Sequence, residues 1–211
     1  MIFFHDDIFT LHENWVREFC SRYAEEIKLP WMINSHINSM GDEIIRLLAQ
    51  AGCVEIKFGV ESGDENVRKK VLNKHIPDSR IKERFEAVRK SGMRTFAFMM
   101  HGIPGEAEDS YKKSVQLMAE IRPNVIRSTI FFPLPNTALG DPFFKLDGEL
   151  NLSMLGDNPS NTLSNTETIS RFYLFGWEIN LLLGLKEYGE LLQKYSGKTN
   201  AAELKQIDAA I

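Results

Sequence analysis

With 211 residues, 43% hydrophobic and 26% charged, the chain has the composition of a folded protein able to bury its own core, which excludes a disordered tail. Its 25 basic and 29 acidic residues leave a net charge of −4 and no basic face to follow phosphates, so nucleic acid is not an expected partner. No stretch is apolar enough to span a membrane, and the acidic opening Met1-Ile2-Phe3-Phe4-His5-Asp6-Asp7 is no signal peptide, so a cytoplasmic location is expected.

Short apolar strands alternate with amphipathic helices. Ile2 to Asp7 reads as a strand stopped by two acids. Thr10-Leu11-His12-Glu13 has the form of a capping box, opening a helix with Val16, Phe19, Cys20, Tyr23 and Ile27 on one stripe. Pro30 ends it, and Trp31 to His36 is the second strand. Ile44, Leu47, Leu48 and Ala51 make the next helical stripe, closed by Gly52 where a left-handed residue is needed. Val54 to Val60 is the third strand. A helix starting at Pro77-Asp78-Ser79 carries Ile81, Phe85 and Val88 and closes at Gly92. Thr95 to His101 is the fourth strand, Ser110 to Ile121 a helix, and Val125 to Phe132 the fifth strand. Helical connections of this length force parallel pairing. The fold class is therefore α/β, a partial (β/α) TIM-like barrel of parallel strands or an open wound sheet. Residues 1–140 form this unit, 141–167 a polar loop or lid, and 168–211 a C-terminal helical segment.

Side chains alternate between the two faces of a strand. Met32, Asn34 and His36 share one face of the second strand, Glu55, Lys57 and Glu61 one face of the third, and Arg127 and Thr129 one face of the fifth. A polar face cannot be covered by packed helices, so the sheet has either a wet side or a polar cavity within a barrel; the gathering of acids and histidines favours the cavity. Chemistry in parallel β/α proteins sits at the carboxyl ends of strands. The residues there are His5, Asp6 and Asp7; His36; Glu61 and Ser62; His101, Gly102, Pro104, Gly105 and Glu106; Phe131 and Phe132. Two readings fit: a hydrolase or isomerase whose divalent metal is held by His5, Asp7, His36, Glu61 and His101, or a site for an organic cofactor with an amine, a ribose and a carboxylate. Spacing alone does not separate them.

The strings FFHDDIFTLHENWVREFC, INSMGDEIIRLLAQAGCVEIKFGVESGDENVRKKVLNK, FAFMMHGIPGEAEDSYKKSVQLMAEIRPNVI and FFPLPNTAL, in that order, resemble the radical S-adenosylmethionine (radical SAM) superfamily, most of all its cobalamin-binding-domain branch. The resemblance covers residues 2–140. It implies a core barrel that binds S-adenosylmethionine and, with a 4Fe–4S cluster, cleaves it to a 5′-deoxyadenosyl radical. It implies further a small-molecule substrate, an electron donor for the cluster, and cobalamin through a separate domain. By that resemblance Asp6 and Asp7 match the acidic motif that accepts hydrogen bonds from the methionine amino group, and Glu61 and Ser62 the motif that contacts the ribose. Lys74 stands where a cation faces the methionine carboxylate. Met100, Gly102, Ile103, Pro104 and Gly105 match the segment lining the adenine pocket, and Phe132 with the turn 133–137 matches the motif below the adenine. His36 is grouped with them as a cofactor-binding residue.

Two departures stand out. Asn136 replaces the usual glycine of a Pro-Gly-Thr turn, a position asparagine tolerates. The Cys-x-x-x-Cys-x-x-Cys cluster motif is absent: Cys20 and Cys53 have neither its spacing nor its setting and read as small buried apolar residues. The family's first strand and cluster loop would precede residue 1. The chain is thus expected to be the C-terminal portion of a longer enzyme, binding the nucleotide weakly and catalysing nothing alone; a cluster-free binding module is the remaining reading.

Overall fold

The helical connections impose the pairing expected of them. The computed structural model describes residues 1–131 and 137–139. Its elements in chain order are β1 (Ile2–Phe4), α1 (Glu13–Glu26), β2 (Trp31–Ser35), α2 (Asp42–Gln50), β3 (Cys53–Glu61), α3 (Glu65–Lys70), α4 (Asp78–Lys90), β4 (Arg94–His101), α5 (Glu108–Ile121) and β5 (Val125–Ile130). The five strands lie in one sheet in the order β1-β2-β3-β4-β5, every neighbouring pair parallel. All their carboxyl ends therefore fall along one edge, which positions the site. Phe132, the loop 141–167 and the helical segment 168–211 lie outside the described residues.

Burial follows the strand alternation. Trp31, Ile33, Ile56, Phe58, Val60, Ala97, Met99 and Ile126 are at most 2% exposed and merge with residues of α1, α2, α4 and α5 in a single core. Their neighbours Met32, Asn34, Lys57, Phe96, Phe98 and Met100 are only half-buried, so one sheet face carries the helices and the other mixes apolar and polar side chains and is partly wet. Trp31 anchors the β1 side: it is fully buried, donates Nε1–H to the Ala51 carbonyl (2.9 Å), and meets Phe4, Phe9, Phe19 and Tyr23 at centroid distances of 5.2–5.6 Å. Gly52 and Gly92 close α2 and α4 with φ of +86° and +85°, as the sequence predicts.

Three expectations change. Thr10 does not cap α1. Its hydroxyl is drawn instead into a cluster with Ser35 and Ser39 (2.5 and 2.6 Å), and His12 takes the N-cap position with no side-chain bond. Ile27 leaves the buried stripe: it is 48% exposed at the C-cap, where Lys28 turns left-handed (φ +60°). Finally α3 is an element the periodicity did not reveal. It lies within the longest strand-to-strand step, the 40 residues from Glu61 to His101.

Candidate functional site

The edge is built by irregularities at the strand ends. In β3 the register slips between Gly59, opposite Phe98, and Glu61, opposite Met99, and Glu61 adopts φ +71°. A left-handed glutamate costs about 1 kcal/mol and bends the strand end, a strain typical of working sites. There the Glu61 carboxylate accepts from Lys74 Nζ at 2.8 Å, and the same ammonium donates to the Gly59 carbonyl at 3.2 Å. Gly59 has to be glycine for this pair to fold over the strand, since a Cβ there would lie 2.3 Å from Glu61 Oε1 and 3.0 Å from Lys74 Nζ. His36, at the end of β2, accepts from the Asn38 N–H through Nδ1 (3.2 Å). Burial and then the Lys74 charge lower its pKa. Asp6 and Asp7 follow β1 in an exposed turn, tied to β2 by Asn34 Nδ2 donating to the Asp6 carbonyl (3.2 Å).

At the end of β4, Gly102 has φ +77°, and Ile103-Pro104-Gly105-Glu106 closes a tight turn by Glu106 N–H to Ile103 O at 2.9 Å. Proline second and glycine third with φ +84° are the residues a type II turn requires. Ile103 is fully buried against Val67 and Phe131, with Met100, Val71 and Leu72 beside it; α3 and its C-terminal flank thus supply part of the wall under this turn. Ser62 is fully buried as well, its hydroxyl donating to Glu106 Oε1 (3.1 Å) and accepting from the Asp64 N–H (3.2 Å), so it shapes the loop rather than facing outward.

Glu106 is the residue whose part the sequence did not disclose. Its carboxylate, 3% exposed, accepts from Ile103 N–H (3.1 Å) and the Ser62 hydroxyl, clamping the ends of β3 and β4 together. Burial pushes its carboxyl up to about 7 against those donors. The unfolded chain releases that proton near 4.5, so the folded state holds more protons between these values, and the Glu106 contribution to stability falls by about 3 kcal/mol as pH rises across them. Buried His101, whose ring lies 6.2 Å from that of Tyr111, is pushed down by burial from 6.5 to about 4. There the unfolded chain holds the extra proton, so its contribution rises with pH over nearly the same range, by about 3 kcal/mol. The two oppose each other in the wild type. Glu106→Gln is expected to remove the falling contribution, so that from pH 4.5 to 6.5 the variant gains about 2 kcal/mol relative to the wild type. Urea unfolding at half-unit pH steps checks this, and parallel curves would refute it.

The proposed metal set does not assemble. His101 shares the helix-facing side of β4 with Thr95, Ala97 and Met99, away from the polar face, and no three His, Cys, Asp or Glu side chains among the described residues form a group able to hold a metal ion. The cysteines do not fit an iron–sulfur cluster either. Both are buried, and burial pushes the Cys20 thiol up to about 11 and the Cys53 thiol up to about 12, whereas cluster ligands are thiolates.

The structure thus brings an acid, a histidine, an ion pair and a glycine-rich turn to successive strand ends along one edge of a parallel β/α sheet. The chain belongs to the radical SAM superfamily, whose family profile matches residues 2–118. It is similar to an uncharacterised methyltransferase of Pyrococcus horikoshii, 22% identical over 137 residues that cover 64% of this chain and 30% of that protein. Among solved structures it resembles the radical SAM methyltransferase TsrM of Kitasatospora setae (TM-score 0.57, 20% identity, 67% of this chain and 30% of that one). It likewise resembles coproporphyrinogen III oxidase HemN of Escherichia coli (TM-score 0.59, 15% identity, 80% and 40%). These likenesses fix the fold as part of a TIM-like barrel. The chain spans between about a fifth and a third of the curated relatives it matches. No described helix is long and apolar enough to cross a membrane.

Proposed function

We propose that this chain forms the S-adenosylmethionine-binding sector of a radical SAM enzyme. The observation that carries the reading is the strand-end edge itself: Asp6 and Asp7, His36, the Glu61–Lys74 pair and the Gly102–Gly105 turn follow one another along one parallel sheet, in the order of the family's motifs. Chemically the edge suits the ligand. Acids meet an ammonium, Lys74 a carboxylate, Glu61 a ribose hydroxyl, and the half-buried Met100 beside a backbone-rich turn an adenine ring. Ser62 and Ile103 act from behind by fixing the turns; Phe132, matched by resemblance to the motif below the adenine, lies outside the described residues. Reductive cleavage of the bound nucleotide belongs to a 4Fe–4S cluster, whose thiolates have to come from sequence other than these 211 residues. The whole protein is then a methyl-transferring member of the cobalamin-binding branch, a reading supported by the names of the P. horikoshii and K. setae relatives.

Calorimetric titration of the chain with S-adenosylmethionine is expected to show weak binding. Lys74→Met and Glu61→Gln should each weaken it about tenfold, the size of one charge-assisted hydrogen bond, and the α4 control Lys90→Met should not. Binding that is undetectable at millimolar ligand, or equal in all variants, would refute the assignment.

A further inference from the structure

The sheet face below the strand-end edge carries a largely buried cation whose one ion-pair partner among the described residues stands at the limit of contact. Lys57, at the middle of β3, has a side chain only 15% exposed, with Nζ 4.1 Å from the ring centroid of Phe3 and 5.0 Å from that of Phe96. Cation–π contact holds the ammonium low on the sheet and leaves its three donors unspent. Among the described residues it makes no hydrogen bond; its one ion-pair partner, Glu55, stands off at 3.9 Å and is shared with Arg94 at 3.5 Å. Asn34, opposite Lys57 in the register, has a buried Oδ1 that accepts no hydrogen bond among the described residues. Two adjacent polar groups with unused capacity are unusual on a half-buried face. Strand parity adds the exposed Arg94 and Arg127 to this face, against Glu55 and a Glu61 that is already paired with Lys74, in a chain whose net charge is −4. The rings of Phe96 and Phe98, 4.8 Å apart, border the charge and offer an apolar wall.

We propose that this floor binds the carboxylate or phosphate of an organic-anion substrate, with Lys57 as its counter-charge and the Phe96–Phe98 wall against its apolar body. The assignment of that anion as substrate rests on the nucleotide reading above, because Lys57 lies on the same face as the Glu61–Lys74 pair, four residues before Glu61 on β3. Neutralising Lys57 would then abolish a preference for charged over neutral ligands, while leaving the nucleotide edge intact.

The test is NMR titration of the full chain with benzoate, phenyl phosphate and the neutral benzamide, with S-adenosylmethionine titrated into the same samples. At least one anion is expected to bind about tenfold more tightly than benzamide, with shifts on Phe96 and Phe98; the tighter anion assigns the head group. Lys57→Met, which keeps an apolar stem between the rings, should erase that preference. Lys57→Arg should retain it, Glu55→Gln should enhance it, and none should change S-adenosylmethionine affinity by more than about twofold. Equal affinity for benzamide, or an anion preference that survives in Lys57→Met, would overturn the proposal even with nucleotide binding intact. An intact anion preference without any nucleotide binding would instead overturn the nucleotide reading, and with it the anion's assignment as substrate.

Discussion

Arg68→Ala is expected to cost about 3–5 kcal/mol, a large share of the stability of a single domain. The guanidinium is fully buried although it starts from the short, polar helix α3. Its Nη1 donates to the Ser62 carbonyl at 2.8 Å, Nε and Nη2 donate to the Ile76 carbonyl at 3.2 and 3.1 Å, and Nη2 pairs with Asp78. One side chain thus ties the end of β3 to the loop that delivers Lys74 and to the start of α4. Removing it strands two carbonyls and leaves a cavity of arginine size in the interior. Urea unfolding followed by circular dichroism measures the loss, and Arg68→Lys should fall in between because an ammonium cannot serve both carbonyls in a planar fork. A loss below about 1 kcal/mol for the alanine variant would show that water replaces the guanidinium. Because the same bonds fix the segment 62–78, the variant should also lose the Glu61–Lys74 geometry before it loses its fold.

How far the sequence disclosed this frame depends on the range of the forces involved. The strands β2 to β5 and the helices α2, α4 and α5 were legible because alternation, helical stripes and the left-handed glycines Gly52 and Gly92 are local signals. The strand-end residues were legible for the same reason: they stand where a strand stops. α3 escaped because the run Glu65-Asn66-Val67-Arg68-Lys69-Lys70 buries only Val67 and Arg68, and the second is an arginine that periodicity counts as polar. A signal was present in the 40-residue step between strand ends, against 25 to 31 elsewhere, and in Asp64, which caps the helix through Asn66 N–H at 2.9 Å. Thr10 misled because a tertiary contact overrode local chemistry: Ser35 and Ser39, 25 and 29 residues away, outcompete the backbone for its hydroxyl. His101 was grouped with the strand-end acids by position, whereas its parity with Ala97 and Met99 already put it on the helix side. The Ser62–Glu106 bond and the packing of Gly63 on α5 depend on contacts distant in sequence that no local pattern encodes.

Gly63→Ala follows from the last of these contacts, and an expected loss of about 3 kcal/mol or more places it at the severe end of overpacking. The Gly63 N–H donates to Ser114 Oγ at 2.7 Å, and the next residue, Asp64, accepts from Ser110 Oγ at 3.1 Å and Lys113 Nζ at 2.9 Å, so the β3 loop lies directly on α5. A Cβ on Gly63 would sit 2.2 Å from Ser114 Cα and 2.4 Å from its nitrogen, backbone against backbone, where no rotamer change gives relief. Truncating the partner cannot rescue it, so Gly63→Ala with Ser114→Ala should be no more stable than Gly63→Ala alone. Gly59→Ala makes the useful contrast. Its Cβ would meet only the far ends of Glu61 and Lys74, at 2.3 and 3.0 Å, which can swing aside. That variant is expected to stay within about 1 kcal/mol of wild type in urea unfolding while losing S-adenosylmethionine affinity about as much as Lys74→Met does. The two glycines, four residues apart, thereby separate what the β3 end does for the fold from what it does for the ligand: equal stability losses would mean that the Glu61–Lys74 pair is part of the framework and not a binding device.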